Sequence, residues 1–227
     1  MTDRDNVLWL QCWRDQRIDS NQLTVNPLLT RFWPNLQLAP GSRVFVPLCG
    51  ASLDLIWFAE QGYDVIGVEL SPVAIASFFT ALQCQPIPQQ VGQFSVWEHG
   101  RLKILCGDFF ALSPTDLGTI DLVYDRAALT ALPEEIRPQY VAHLTAILDT
   151  RTQILLLTIE DAEVTDTAEQ VYGIADEIKA LYAETYSIEL LHVESLFENN
   201  PEQPESLPER AEYKVYLLNH LEQILEY

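Results

Sequence analysis

A chain of 227 residues, 48% hydrophobic and 10% aromatic, has enough apolar material for one large α/β domain with a sizeable core. Its 33 acidic and 13 basic residues leave a formal net charge of −20, which argues against nucleic acid or anionic membrane as partners, because neutralising phosphates needs a basic surface. The apolar runs are far shorter than a membrane span, the polar start Met1-Thr2-Asp3-Arg4 lacks a signal-peptide pattern, and a cytoplasmic location is expected.

The four cysteines, Cys12, Cys49, Cys84 and Cys106, form no C-x-x-C pair, and with His99, His143, His192 and His220 they show no metal-ligand spacing. No metal site is expected. Cys49 and Cys106 read as small buried residues rather than nucleophiles.

In chain order, residues 7–17 are expected to form an amphipathic helix with Trp9 and Trp13 one turn apart on one face. Such a pair serves either as core packing or as a flat aromatic wall for a ligand. Asp19-Ser20-Asn21-Gln22 is a loop, and Asn26-Pro27 opens a second helix through Leu29, Phe32 and Trp33. Pro40-Gly41 turns the chain into a strand, Val44 to Pro47, which runs into the tight turn Leu48-Cys49-Gly50. Leu53, Ile56, Trp57 and Phe58 then recur at helical spacing. The next strand, Asp64 to Glu69, ends in a carboxylate 19 residues beyond Gly50. In nucleotide-type α/β sites an acid at about that distance, ~20 residues, accepts hydrogen bonds from ribose hydroxyls. There is no G-x-G-x-x-G, so a pyrophosphate ligand is not expected. A plain β-α-β unit with an incidental Glu remains the alternative.

Ser71 is a natural N-cap with Pro72 at the first helical position, before a helix carrying Ile75, Phe78, Phe79 and Leu82. The stretch 85–100, with Pro86, Pro88 and Gly92, is either a lid or a small hairpin around Phe94 to Trp97. Leu102 to Cys106 is a third strand, followed by Gly107, Asp108 and Phe109. An acid beside an apolar residue just past a strand can bond an adenine amino group while its neighbour covers the ring. Ile120 to Asp125 is a fourth strand, followed by Arg126. A helix is expected over 133–149, a nearly all-apolar fifth strand over 153–159, a helix over 175–182 and strands over 187–193 and 213–218. From Glu160 to Glu212 fifteen acidic residues stand against Lys179 and Arg210, which reads as a solvated acidic face.

Strands alternating with helices predict a doubly wound, mostly parallel sheet with an antiparallel edge strand. Residues 1–227 are expected to form a single domain, with 1–40 as an N-terminal helical cover and 41–227 as the α/β core. Ligands of such sheets lie beyond the carboxyl ends of the strands, where Leu48, Gly50, Glu69, Asp108, Phe109 and Arg126 all fall.

With these residues in place, the chain resembles a class I methyltransferase that uses S-adenosyl-L-methionine, a Rossmann-like fold, and more narrowly the thiopurine S-methyltransferase family. The matching pieces are Trp9 and Trp13, Val25-Asn26-Pro27, Val46-Pro47-Leu48-Cys49-Gly50 followed by Ser52-Leu53-Asp54-Leu55, Gly67-Val68-Glu69-Leu70-Ser71, Asp125-Arg126-Ala127-Ala128-Leu129 and Val215-Tyr216-Leu217-Leu218. The resemblance covers most of residues 7–218. It implies a methyl donor held against Trp13, Leu48, Glu69 and Arg126, with Trp9, Asp108 and Phe109 as neighbouring contacts. Glu69 would bond the ribose, Leu48 and Phe109 would flank the nucleoside, and Arg126 would pair with the donor carboxylate or an anionic acceptor.

The implied reaction is in-line attack by a small thiol or selenol on the sulfonium methyl, which needs chiefly proximity, alignment and exclusion of water. No general base is required, and Arg126 and Asp19 are the candidates for a catalytic role. This chain has Ser20-Asn21 where family members commonly carry Phe-His, Ala51 where Lys commonly follows the turn, and Thr165-Asp166-Thr167-Ala168-Glu169 in place of a Gly-Pro-Pro-Phe segment. These departures fall on the acceptor side. A halide or O-methyltransferase, or a donor-binding protein with a decayed acceptor site, are the alternatives, and a monomer is expected.

Overall fold

The computed structural model describes residues 24–161, 173–198 and 209–224. The expected first helix with Trp9 and Trp13, the loop bearing Asp19 and Ser20-Asn21, and the segment 165–169 lie outside the described residues. The chain forms two compact units: residues 1–124 with 143–149, and residues 125–142 with 150–227. No helix among the described residues is long and apolar enough to cross a membrane.

The first unit opens with helix α1 (Pro27–Phe32), where the Asn26 side chain accepts the N–H of Leu28 and Pro27 takes the first helical position. A short 3-10 turn, Trp33–Leu36, follows. Strand β1 (Arg43–Val46), helix α2 (Asp54–Glu60), β2 (Asp64–Glu69) and helix α3 (Pro72–Ala81) then alternate as the hydrophobic pattern requires. Val44, Phe45 and Val68 are fully buried, as expected of strands covered on both faces. Ser71 caps α3 by accepting the N–H of Ala74.

The stretch 85–100 is a hairpin and not a lid. Strands β3 (Gln89–Val91) and β4 (Phe94–His99) pair antiparallel, and β4 pairs antiparallel with β5 (Leu102–Cys106). Phe94 and Val96 point inward at alternate positions, so the hairpin extends the sheet. Helix α4 (Pro114–Leu117) leads to β6 (Leu122–Arg126). The order in this unit is β3-β4-β5-β2-β1-β6, with β5, β2, β1 and β6 parallel neighbours.

In the second unit the chain leaves β6 through a one-turn helix, α5 (Ala128–Ala131), and then α6 (Arg137–Ile147), whose last turn returns to the first unit. The helix expected over 133–149 thus starts later. Strand β7 (Gln153–Asp161), helix α7 (Asp176–Tyr182), β8 (Tyr186–Glu198), β9 (Glu209–His220) and helix α8 (Leu221–Ile224) complete it. Strand β9 lies between β7 and β8 and is antiparallel to both, so the apolar β7 has an antiparallel neighbour here. The late strands are much longer than their apolar centres suggest, because pairing satisfies the backbone through their polar ends.

Candidate functional site

The site is built at the carboxyl ends of β1, β2 and β5 in the first unit. Beyond β1 the chain turns sharply at Leu48, whose φ of +45° is in the left-handed region, and at Gly50, with φ +54°. A γ-branched residue at positive φ is strained, and such strain collects at ligand-binding turns. The Cys49 N–H donates to the Val68 carbonyl at 2.9 Å, which draws the turn onto β2. Gly67 makes this approach possible: a Cβ there would lie 2.7 Å from the Cys49 Sγ.

Glu69, the last residue of β2, is 6% exposed. Its Oε2 accepts the Gly50 N–H at 2.9 Å and its Oε1 accepts the Ser71 N–H at 2.8 Å. Burial pushes its carboxyl above the usual range, opposed by the N–H groups of Ser71, Gly50 and Leu70. The carboxylate is therefore fixed by one backbone donor on each oxygen, and each oxygen keeps a lone pair for a hydroxyl donor. This is what a ribose diol needs.

The cysteines around it are inert. Burial, and then Glu69, hold the Cys49 thiol far above its ordinary range, and burial with Glu69 pushes Cys106 up to about 11. Both stay protonated at neutral pH.

Past β5, Asp108 caps the 3-10 turn Phe109–Ala111, its Oδ1 accepting the Phe110 N–H at 3.0 Å. Phe109 is 3% exposed and packs edge-on against Phe110 and His143, with centroids at 5.3 and 5.2 Å. The Phe109 ring thus supports the Asp108 turn from the core side. Leu48, Gly50, Glu69, Asp108 and Phe109 all stand at neighbouring parallel strand ends, as the sequence predicts. Arg126 ends β6 and belongs to the second unit. Trp9, Trp13 and Asp19 lie outside the described residues.

Two supports were not legible in the sequence. Asp54, fully buried at the start of α2, accepts the Asn26 N–H at 2.8 Å and the Tyr124 hydroxyl at 3.0 Å, tying the entry helix α1 to the helix after the Leu48–Gly50 turn. Asp125, also fully buried, accepts the Tyr140 hydroxyl at 2.7 Å and the N–H groups of Ala128 and Leu129 at 3.1 and 3.3 Å. Burial pushes its carboxyl up to about 6 despite those donors. Nothing local signals either, because Asn26, Tyr124 and Tyr140 are brought to them only by folding.

Among the described residues no cluster of His, Cys, Asp and Glu is arranged to hold a metal ion. The geometry fits a nucleoside instead, with one acid for a ribose beside a strained turn and another past the next strand.

Comparison with known proteins agrees. The family model described as Thiopurine S-methyltransferase (TPMT) matches residues 4–221. A relative named thiopurine S-methyltransferase from Stutzerimonas stutzeri is 55% identical over 96% of this chain and 92% of its own length. One of the same name from Nitrosospira multiformis is 40% identical over 92% of this chain and 96% of its own. Among solved structures, a Burkholderia thailandensis 1,6-didemethyltoxoflavin-N1-methyltransferase with bound 1,6-didemethyltoxoflavin and S-adenosylhomocysteine superposes with TM-score 0.59 at 16% identity, covering 95% of this chain and 86% of that one. An S-adenosylmethionine-dependent methyltransferase from Anabaena variabilis gives TM-score 0.58 at 14% identity, covering 97% and 96%. These two establish the fold, the Rossmann-like class I architecture.

Proposed function

Since this chain belongs to the thiopurine S-methyltransferase family, and so is an S-adenosylmethionine-dependent methyltransferase with a small-molecule acceptor, we propose that its acceptor atom is a thiol sulfur or selenol selenium. We further propose that Leu48, Gly50, Glu69, Asp108, Phe109, Arg126, Trp9 and Trp13 are the donor contacts. The observation that carries the donor assignment is the Glu69 carboxylate, almost fully buried and clamped by the Gly50 and Ser71 N–H groups.

When bound, S-adenosylmethionine supplies a methyl group on a positively charged sulfur. The chain's own residues then bind and align. Glu69 accepts from the ribose hydroxyls, and the absent side chain of Gly50 lets the backbone approach. Asp108, whose Oδ1 holds its own turn, has a second carboxylate oxygen with which to accept from the adenine amino group. An acidic heteroaryl thiol is already partly ionised at neutral pH, so its proton passes to solvent and no side chain need remove it. Arg126, permanently charged, suits either the donor's carboxylate or an anionic acceptor. The same reading takes residues 1–227 as one cytoplasmic, monomeric methyltransferase domain.

The test is product formation from S-adenosylmethionine with a panel of aromatic and aliphatic thiols, selenols, halides and phenols, read by mass spectrometry. A methyl thioether or selenoether as the main product supports the reading. Methyl halide or methyl ether alone, or donor binding without turnover, overturns it.

A further inference from the structure

Arg126 is bracketed by two features that packing alone does not require. On one side, Asp125 is completely buried, with Oδ1 accepting from Ala128 and Leu129 and Oδ2 from the Tyr140 hydroxyl. On the other, Ala127 has φ +62° and ψ 2°, the left-handed region that a residue with a Cβ adopts at a cost, and its N–H is tied to the Leu157 carbonyl at 3.1 Å. An Asn at 125 would cap the same two N–H groups without burying an ionisable acid, and a Gly at 127 would take the same turn without strain. The other non-glycine residues at positive φ include Gln37 and Gln83, which merely end helical turns. Strained backbone beside a buried carboxyl bonded on both oxygens is a device for aiming the side chain between them.

We propose that Asp125 and Tyr140 are positioning residues for Arg126: the Tyr140–Asp125 bond and the cap on α5 lock the 125–129 turn, so that Arg126 leaves the end of β6 in one direction. This rests on the reading of Arg126 as a ligand-binding residue. A bland cap would act on stability and nothing else. A positioning role makes the effect of Asp125 or Tyr140 pass through the guanidinium.

The experiment is a double-mutant cycle on the full chain with Tyr140→Phe, Asp125→Ala, Asp125→Asn and Arg126→Ala. Two readouts are taken: donor affinity by calorimetry with S-adenosylmethionine, and KM for an aromatic thiol. Tyr140→Phe is expected to weaken whichever readout Arg126→Ala weakens, about threefold to tenfold, and Asp125→Ala by about tenfold or more. Asp125→Asn, which keeps the cap, recovers most of the loss. In the Arg126→Ala background each change has less than a twofold effect. If Asp125→Ala does not fold, Tyr140→Phe alone decides. Losses that multiply with Arg126→Ala overturn the proposal. So does a lower melting temperature with affinity and KM unchanged, or an Arg126→Ala variant indistinguishable from the native chain in both readouts. Should the native chain methylate no thiol, the acceptor reading falls separately, and donor affinity still decides the positioning role.

Discussion

Two of the regions that bury carboxylates in this molecule do so in opposite ways. At the end of β2, Glu69 is held by backbone N–H groups alone among the described residues. On one face of β7 and β9, Glu160 and Glu212 surround Lys214, itself 1% exposed. Lys214 Nζ lies 2.9 Å from Glu160 and 3.5 Å from Glu212, and donates to the Gly173 carbonyl at 3.2 Å. Glu160 also accepts from the Thr158 and Tyr216 hydroxyls at 2.5 and 2.9 Å. The second cluster is charge-paired: a buried cation stands between its carboxylates, and its bond to the Gly173 carbonyl anchors the chain there. The first is poised, because backbone donors fix Glu69 without neutralising it.

The largest test of that contrast is Lys214→Ala. It leaves two carboxylates buried without their cation and should lower stability by about 3–5 kcal/mol in urea unfolding, with donor affinity in the folded fraction unchanged. A loss below about 1 kcal/mol would mean that the cluster is hydrated.

Asp125 sharpens the comparison through pH. Its folded-state value of about 6 lies above the ordinary 3.8, so its protonated form favours the fold. The stability it contributes is complete below the unfolded value and is lost as pH rises through about 6, roughly 3 kcal/mol across that interval. The facing groups, Tyr140 and Tyr182, are held well above their ordinary range by burial and stay neutral throughout. The difference in unfolding free energy between the native chain and Asp125→Asn, measured from pH 3 to 8, should carry this slope; a flat difference would remove it.

Glu69→Ala should weaken donor binding by about 1.5–3 kcal/mol, roughly ten- to a hundredfold, with a smaller change in melting temperature. Equal effects on both would place Glu69 with the structural acids. Gly67→Ala should cost about 1–3 kcal/mol through overpacking against the Cys49 Sγ, and Cys49→Ala in the same chain should return most of it. Failure of that rescue would show that the turn, not the thiol, fills the space.

Much of the local structure around Glu69 was readable from order alone. The strand–turn–helix at 43–60, the acid closing the next strand and the Ser71-Pro72 helix start are local patterns, set by backbone sterics and hydrophobic period over a few residues. Arg126 and Asp108 were placed at strand ends by the same logic. What stayed hidden depends on partners distant in the chain. Asp54 reads as one more polar residue at a helix start until Asn26 and Tyr124 arrive from 28 and 70 residues away. Glu160 reads as part of a solvated acidic face until strand pairing sets it beside the buried Lys214.

The linear order of residues thus settled the kind of fold, the tight turn after the first strand and the family, because each rests on short-range stereochemistry or on contiguous motifs. Which acids are poised and which are neutralised was decided only in three dimensions. The state of a buried charge depends on every group folding brings within a few ångströms, and most of those are remote in the chain.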